Sequence, residues 1–512
     1  MKKLKPRRRF PSNGKRLARL GIIRIKAGIL ACFFLSLCTG LAAENAQWRF
    51  SGDIQRAYNL VLALQTDQAA ELLARTRDKS NDLHKLYVQS FCETIDILIT
   101  EDEKKFETVE RNFKSRLRQL DDMPESPDVL FLRADLNLQR GFNYLNLGQE
   151  VNAVLSIRQA YNLAGECLKK YPHFLPIKKT YGVLQVMVGS VPDKYHWFMS
   201  LLGMKGSVRI GQKQLEELKN SESSLSYEGG LLYYTIKGFI NQQFDEASRG
   251  LIDILKKEPE NRLLNFMAIN MLMKNAQSEE ASRLIVNLDK NQVGLPVTYI
   301  EYLRAEIQLQ KGDYAGAIHS YQRFIASYKS LSFKKDATYK ISLCYYLLGK
   351  QPLANEFFQK ARETGRDVAE PDRHAAYQLL ETQWPNPKIL KIRFYTDGGY
   401  YKEAKALIQT VTPADLKLPR DKTEYFYRKA RLAHRTGELS AAKIFYQQTI
   451  DMTGNNNWYF APNSALQLGY IAQQQGDQVS ARKYFEKVLS YRKHEYKGTV
   501  DGKAKSALES LK

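Results

Sequence analysis

Cysteine is scarce, and so are the patterns that build metal and catalytic sites. The 512-residue chain has five cysteines, and only Cys92, Cys167 and Cys344 lie beyond residue 43. They are far apart and each falls in a helix-like pattern, so they make neither a disulfide framework nor a Cys-x-x-Cys zinc site. The seven histidines are scattered, with no His-x-x-x-His spacing. No G-x-G-x-x-G loop and no strand-like alternation is present, which excludes a doubly wound sheet. No Ser/His/Asp grouping or paired carboxylates mark a reaction centre. The expectation is a chain with no catalytic residues, no metal and no cofactor. Sixteen prolines and 26% charged residues do not describe disorder either.

Acidic residues are missing altogether from the first 43 positions. Eleven Lys or Arg fill the first 26, and a small or apolar run follows, Ala27 to Ala43. A basic segment, a short apolar segment and small residues at its end describe a signal peptide, cut before Ala43 with Gly40 and Ala42 at the recognition positions. The run is shorter than the roughly 20 residues of a spanning helix, so an uncleaved anchor is the second reading. Leu37 before Cys38 fits a lipid-attachment signal poorly. Export removes half of the formal net charge of +22, leaving a mildly basic surface that does not call for nucleic acid. The expected compartment is the periplasm or cell envelope of a bacterium, with possible envelope association but no membrane span once the signal is gone.

What is present is repetition. Four stretches, Tyr302–Ile325, Thr338–Ala361, Phe426–Ile450 and Ala465–Leu489, read as a helix, a turn at glycine and a second helix. Their turn glycines are Gly312, Gly349, Gly437 and Gly476. Five residues later stand Ala317, Ala354, Ala442 and Ala481, and four further on Tyr321, Phe358, Tyr446 and Phe485. Weaker copies centre on Ala247, Ala281 and Ala404, and Arg133–Pro172 reads as a stretched pair. Small residues let two helices approach, as Gly469 and Ala481 are expected to do, and the aromatic fills the joint with the next hairpin. One hairpin cannot bury its own apolar face, so copies must stack.

The stretch Tyr181–Leu215 is the least regular. Its apolar runs are too short to span a membrane, and Asp193 and Lys194 would lie in lipid. Gly206 and Gly211 have phosphate-loop spacing, but Gln212 and Lys213 follow where Lys and a hydroxyl residue are required. It reads as a joint between helices, with glycines permitting a tight reversal.

Leu468, Gly469, Ala472, Ala481 and Phe485, with Tyr345, Ala354, Phe358 and Ala361, resemble the tetratricopeptide repeat. The resemblance covers roughly residues 228 to 490 and implies an all-α solenoid of stacked antiparallel hairpins. The segment from "VPDKYHW" to "LLGMKGSVRIG" is similar to a eukaryotic family of large tetratricopeptide-repeat proteins that includes the yeast inclusion-body-clearance protein. The organisation expected is a signal peptide at 1–43, an irregular helical region at 44–224, regular repeats at 225–495 and a tail at 496–512.

The resemblance implies a scaffold binding a protein or peptide segment in a groove lined by first helices. The corresponding positions are Tyr339, Leu343 and Tyr346, then Tyr427, Arg431 and His434, then Asn463, Tyr470 and Gln473. A surface glycan-binding helical-repeat protein is the alternative. N-terminal sequencing of the protein from its native envelope should begin near Ala43; a cytoplasmic protein beginning at Met1 would overturn the export reading.

Overall fold

The computed structural model describes residues 48–50, 52–76, 82–191, 196–290, 292–367 and 369–511. The expected signal peptide, the anchor alternative and Cys38 lie outside them. The described residues hold twenty-five α-helices and no β-strand, and none of the helices is long and apolar enough to cross a membrane.

The helices pair as antiparallel hairpins. The first are α1 (Gly52–Leu62) with α2 (Thr66–Arg75), α3 (Asp82–Thr100) with α4 (Phe106–Asp121), and α5 (Pro127–Asn146) with α6 (Glu150–Lys170). Across the short α8 (His196–Leu201), α7 (Ile177–Gly189) pairs with α9 (Val208–Lys219). Next come α10 (Ser226–Phe239) with α11 (Phe244–Leu255), and α12 (Arg262–Lys274) with α13 (Ser278–Lys290). They are followed by α14 (Tyr299–Lys311) with α15 (Tyr314–Ser327), and α16 (Lys334–Leu347) with α17 (Gln351–Glu363). A lone helix, α18 (Glu370–Gln378), interrupts the series. Then α19 (Pro387–Gly398) pairs with α20 (Tyr401–Ile408), α21 (Pro419–Arg435) with α22 (Leu439–Thr453), and α23 (Phe460–Gln474) with α24 (Gln478–Ser490). Residues 496–512, expected as a tail, carry one more helix, α25 (Lys497–Ser510), packed on α24 and α23.

One local rule repeats through the hairpins. The chain reverses through a left-handed residue, which glycine adopts at least cost. Gly148, Gly312, Gly349, Gly399, Gly437 and Gly476 have φ between +73° and +92°. Five residues after each stands a fully buried alanine: Ala153, Ala317, Ala354, Ala404, Ala442 and Ala481. Three further hairpins keep the geometry without glycine, using Leu64, Gln242 and Ala276 at φ +63°, +62° and +58°, with Ala69, Ala247 and Ala281 buried behind them. Gly469, expected against Ala481, instead makes room for Phe485, whose Cε1 would lie 2.4 Å from an added Cβ.

The glycines of Tyr181–Leu215 do a different job from the one their sequence suggested. Only Gly203 is left-handed, at φ +74°. The others bring two backbones together. A Cβ on Gly211 would stand 2.4 Å from the Gly182 carbonyl oxygen, and one on Gly206 2.4 Å from the Gly189 nitrogen. The joint between α7 and α9 is a backbone contact.

Stacking is sequential only up to α17. One apolar core runs from Trp48 to Phe394, across the 224/225 boundary, and two smaller clusters hold the C-terminal hairpins. At α18 the chain turns back. The fully buried Asp372 accepts hydrogen bonds from the Phe333 nitrogen at 2.6 Å and the Asp336 nitrogen at 3.0 Å, capping α16. From there α19 packs on α14 rather than on α17. At the far end Ser207 donates to Glu509 at 2.7 Å, tying α25 to the N-cap of α9.

Gly211→Ala should lower stability by about 1–3 kcal/mol, because the Cβ meets backbone that cannot move aside. Gly165→Ala, with nothing within 4 Å, should raise it by about 0.5–1 kcal/mol. Denaturant melts of the two variants check the pair.

Candidate functional site

Because the C-terminal hairpins fold back, they and the first stack frame a partly open chamber of about 1880 Å³. One wall is the inner face of α7, α10, α12, α14 and α16, and the other comes from α19, α21, α23 and α25, with α18 at the base. The wall is apolar along Val183, Val186, Leu232, Ile236 and Phe239, and polar toward α18 and α21. First helices supply most of it, with Phe244 of α11, Leu489 of α24 and four residues of α17 added from second helices.

Most charges on the wall are already paired. Lys340 lies 2.7 Å from Glu306 and 2.8 Å from Asp336. Arg420 joins Glu381 at 3.0 Å and Glu495 at 2.8 Å. Behind the wall, Arg428 donates through Nε to Glu424 at 3.0 Å and through Nη2 to the Tyr459 hydroxyl at 2.8 Å. Glu370 accepts from the Thr499 hydroxyl at 2.6 Å, and Gln378 donates to the Tyr496 hydroxyl at 3.0 Å. These bonds join α18 to Tyr496 and to the first turn of α25. His374 stacks on Tyr496, centroids 3.9 Å apart, and burial pushes its imidazole down to about 4.

The residues expected from the sequence go to different places. Tyr339, Leu343 and Asn463 lie on the chamber wall. Tyr346 stands at its edge, stacked on Trp384 with centroids 4.7 Å apart and donating to the Pro385 carbonyl at 3.2 Å. Tyr427 is turned into the core, 5% exposed among Tyr446, Tyr459 and Phe460. Arg431 donates to Gln467 at 3.2 Å, and His434 lies 3.2 Å from the Tyr446 hydroxyl. Tyr470 packs edge-on against Phe485, and Gln473 donates to Ser510 of α25 at 3.0 Å. The C-terminal helix therefore lies against Gln473, one of the expected groove positions. Lys274, His374, Trp384, Arg393 and Lys503 reach the wall without a sequence motif to announce them. Among the described residues no group of His, Cys, Asp and Glu is arranged to hold a metal ion. The three described cysteines are free and buried.

The sequence profile of the tetratricopeptide repeat matches residues 302–369 and 462–495. Those segments are tetratricopeptide repeats. No curated protein matches the chain significantly by sequence. Among solved structures, the human IFIT1 dimer with PPP-AAAA is 14% identical, with 86% of this chain and 95% of that chain covered and a TM-score of 0.32. Rap protein complexed with competence and sporulation factor is 12% identical, covering 78% and 96%, with a TM-score of 0.33. The apo quorum sensor NprR from B. thuringiensis is 13% identical, covering 78% and 98%, at 0.29. Likenesses this low say nothing of a ligand.

His374 and His434 both have imidazoles lowered to about 4, mainly by burial. The folded chain then binds fewer protons than the unfolded chain between about pH 4 and the free imidazole value near 6.5. Both rings withdraw stability as pH falls through that window and are neutral above it. NMR titration of the ring carbons should give both midpoints well below 6.

Proposed function

We propose that the chain is an exported, non-catalytic helical-repeat scaffold that holds an extended protein or peptide segment inside the chamber. The observation that carries this reading is the chamber itself. Inner helices of two stacks line one continuous space, long in apolar and aromatic surface and edged with polar groups. A stacked-hairpin fold presents such a surface without needing any single residue to react, and burial of apolar side chains supplies the affinity. The paired charges on the wall support a recognition role, since fixed ion pairs orient a bound backbone but are not free to transfer protons. The basic and apolar N-terminus supports export.

Filling the chamber tests the reading. Asn463→Trp places a large ring on the wall and should reduce recovery of a genuine envelope partner by about tenfold or more. Lys483→Ala, at an exposed position of α24, should leave recovery unchanged. Equal recovery of the same partner by both variants would remove the chamber as the binding surface.

A further inference from the structure

Some cations of the inner wall are matched less closely by carboxylates than others. Lys274 on α12, Arg393 on α19 and Lys503 on α25 come from helices far apart in the chain and all line the chamber. Among the described residues, neither Lys274 Nζ nor Lys503 Nζ has a carboxylate within 4.0 Å or a recorded hydrogen bond, in contrast to Lys340 and Arg420 on the same wall. The nearest carboxylate to Arg393 is Asp397, 3.7 Å from its Nε.

We propose that Lys274, Arg393 and Lys503 form an anion subsite that makes the chamber selective for segments carrying Asp or Glu side chains. This rests on the peptide-holding reading above. Glu370, which accepts from Thr499, lies in the same region and Asp397 faces Arg393, so the three cations meet two carboxylates and one positive charge is left in excess. Burial lowers the Lys503 ammonium, and Lys274 and Arg431 push it further down while Glu370 opposes them. A partly buried ammonium with cationic neighbours gains most from an arriving anion, because the lowered dielectric that penalises the lone charge strengthens the new pair. Acidic peptide is favoured over nucleic acid by the rest of the wall. Glu381, Asp421 and Glu424 also face the chamber and would repel a phosphate chain, and a polyanion needs many cationic contacts rather than three.

The test is affinity selection of a random peptide library on the purified full-length protein and on the double variant K274Q/K503Q. Wild type should enrich Asp and Glu, and the double variant should lose that bias. A selected acidic peptide should bind about tenfold more weakly to Lys503→Gln by fluorescence anisotropy, with Lys503→Arg restoring binding and the melting temperature unchanged. Peptides enriched with the same acid content by both proteins would overturn the subsite while leaving the chamber reading intact. No peptide enriched by wild type would overturn the chamber reading itself. A mixed-sequence oligoribonucleotide bound more tightly than the best peptide would overturn the proposal in favour of nucleic acid.

Discussion

The chamber exists because one buried carboxylate holds the reversal of the chain. A solenoid of hairpins, left to its neighbour contacts, grows along one axis and leaves its groove open. Here Asp372 accepts from two backbone nitrogens at the start of α16, so α18 crosses the end of the first stack instead of extending it. Burial raises the Asp372 carboxyl to about 7, the cost of placing an acid between helices. The two amides offset it, and Phe333 takes a left-handed φ of +64° to aim its nitrogen there. Beyond this reversal, wall residues from Arg393 to Lys503 come to face the first stack.

Legibility of the fold followed the price of a left-handed turn. Where glycine fills that position, at Gly312, Gly349, Gly437 and Gly476, the hairpin is plain in the sequence. The same hairpin with Gln242 or Ala276 reads weakly, and with Leu64 it does not read at all. A side chain there costs about 1–2 kcal/mol, which tertiary packing can cover without leaving a motif. The buried alanine five residues on persists in every case, but alanine is too common to signal alone. At Gly182 and Gly211 the ambiguity ran the other way: glycine serves close approach as well as reversal, and only the partner helix tells which.

The site was less legible than the fold, for a reason of range. Repeat phase assigns a residue to the inner side of its own hairpin, and that reasoning put Tyr339, Leu343 and Asn463 on the wall. It cannot know what lies opposite. Tyr427 holds a comparable position, yet Tyr459 and Phe460 of the next hairpin cover it. Tyr470 and Gln473 meet α24 and α25 instead of open space. Lys503 shows the converse: it stands in a stretch without repeat character and becomes a wall residue only because α25 folds across. Non-sequential packing carries no local periodicity, so no window along the chain records it.

The two walls are not joined with equal strength along their length. At the base, Leu390 and Phe394 of α19 enter the core of the first stack, and Tyr395 lies over Gly312, its hydroxyl 3.0 Å from where a Cβ would stand. At the far end the bond between Ser207 and Glu509 joins α9 to α25, with Glu370–Thr499 and the His374–Tyr496 stack nearer α18. Partly exposed hydrogen bonds contribute about 0.5–1.5 kcal/mol each, far less than the apolar burial at the base. Parting the walls at α25 would leave every hairpin core intact, whereas parting them at α19 would open the main core. On the peptide-holding reading proposed above, a segment would enter from the α25 end, displacing polar contacts that its own backbone can replace, while α18 and α19 would act as the fixed side of the clasp.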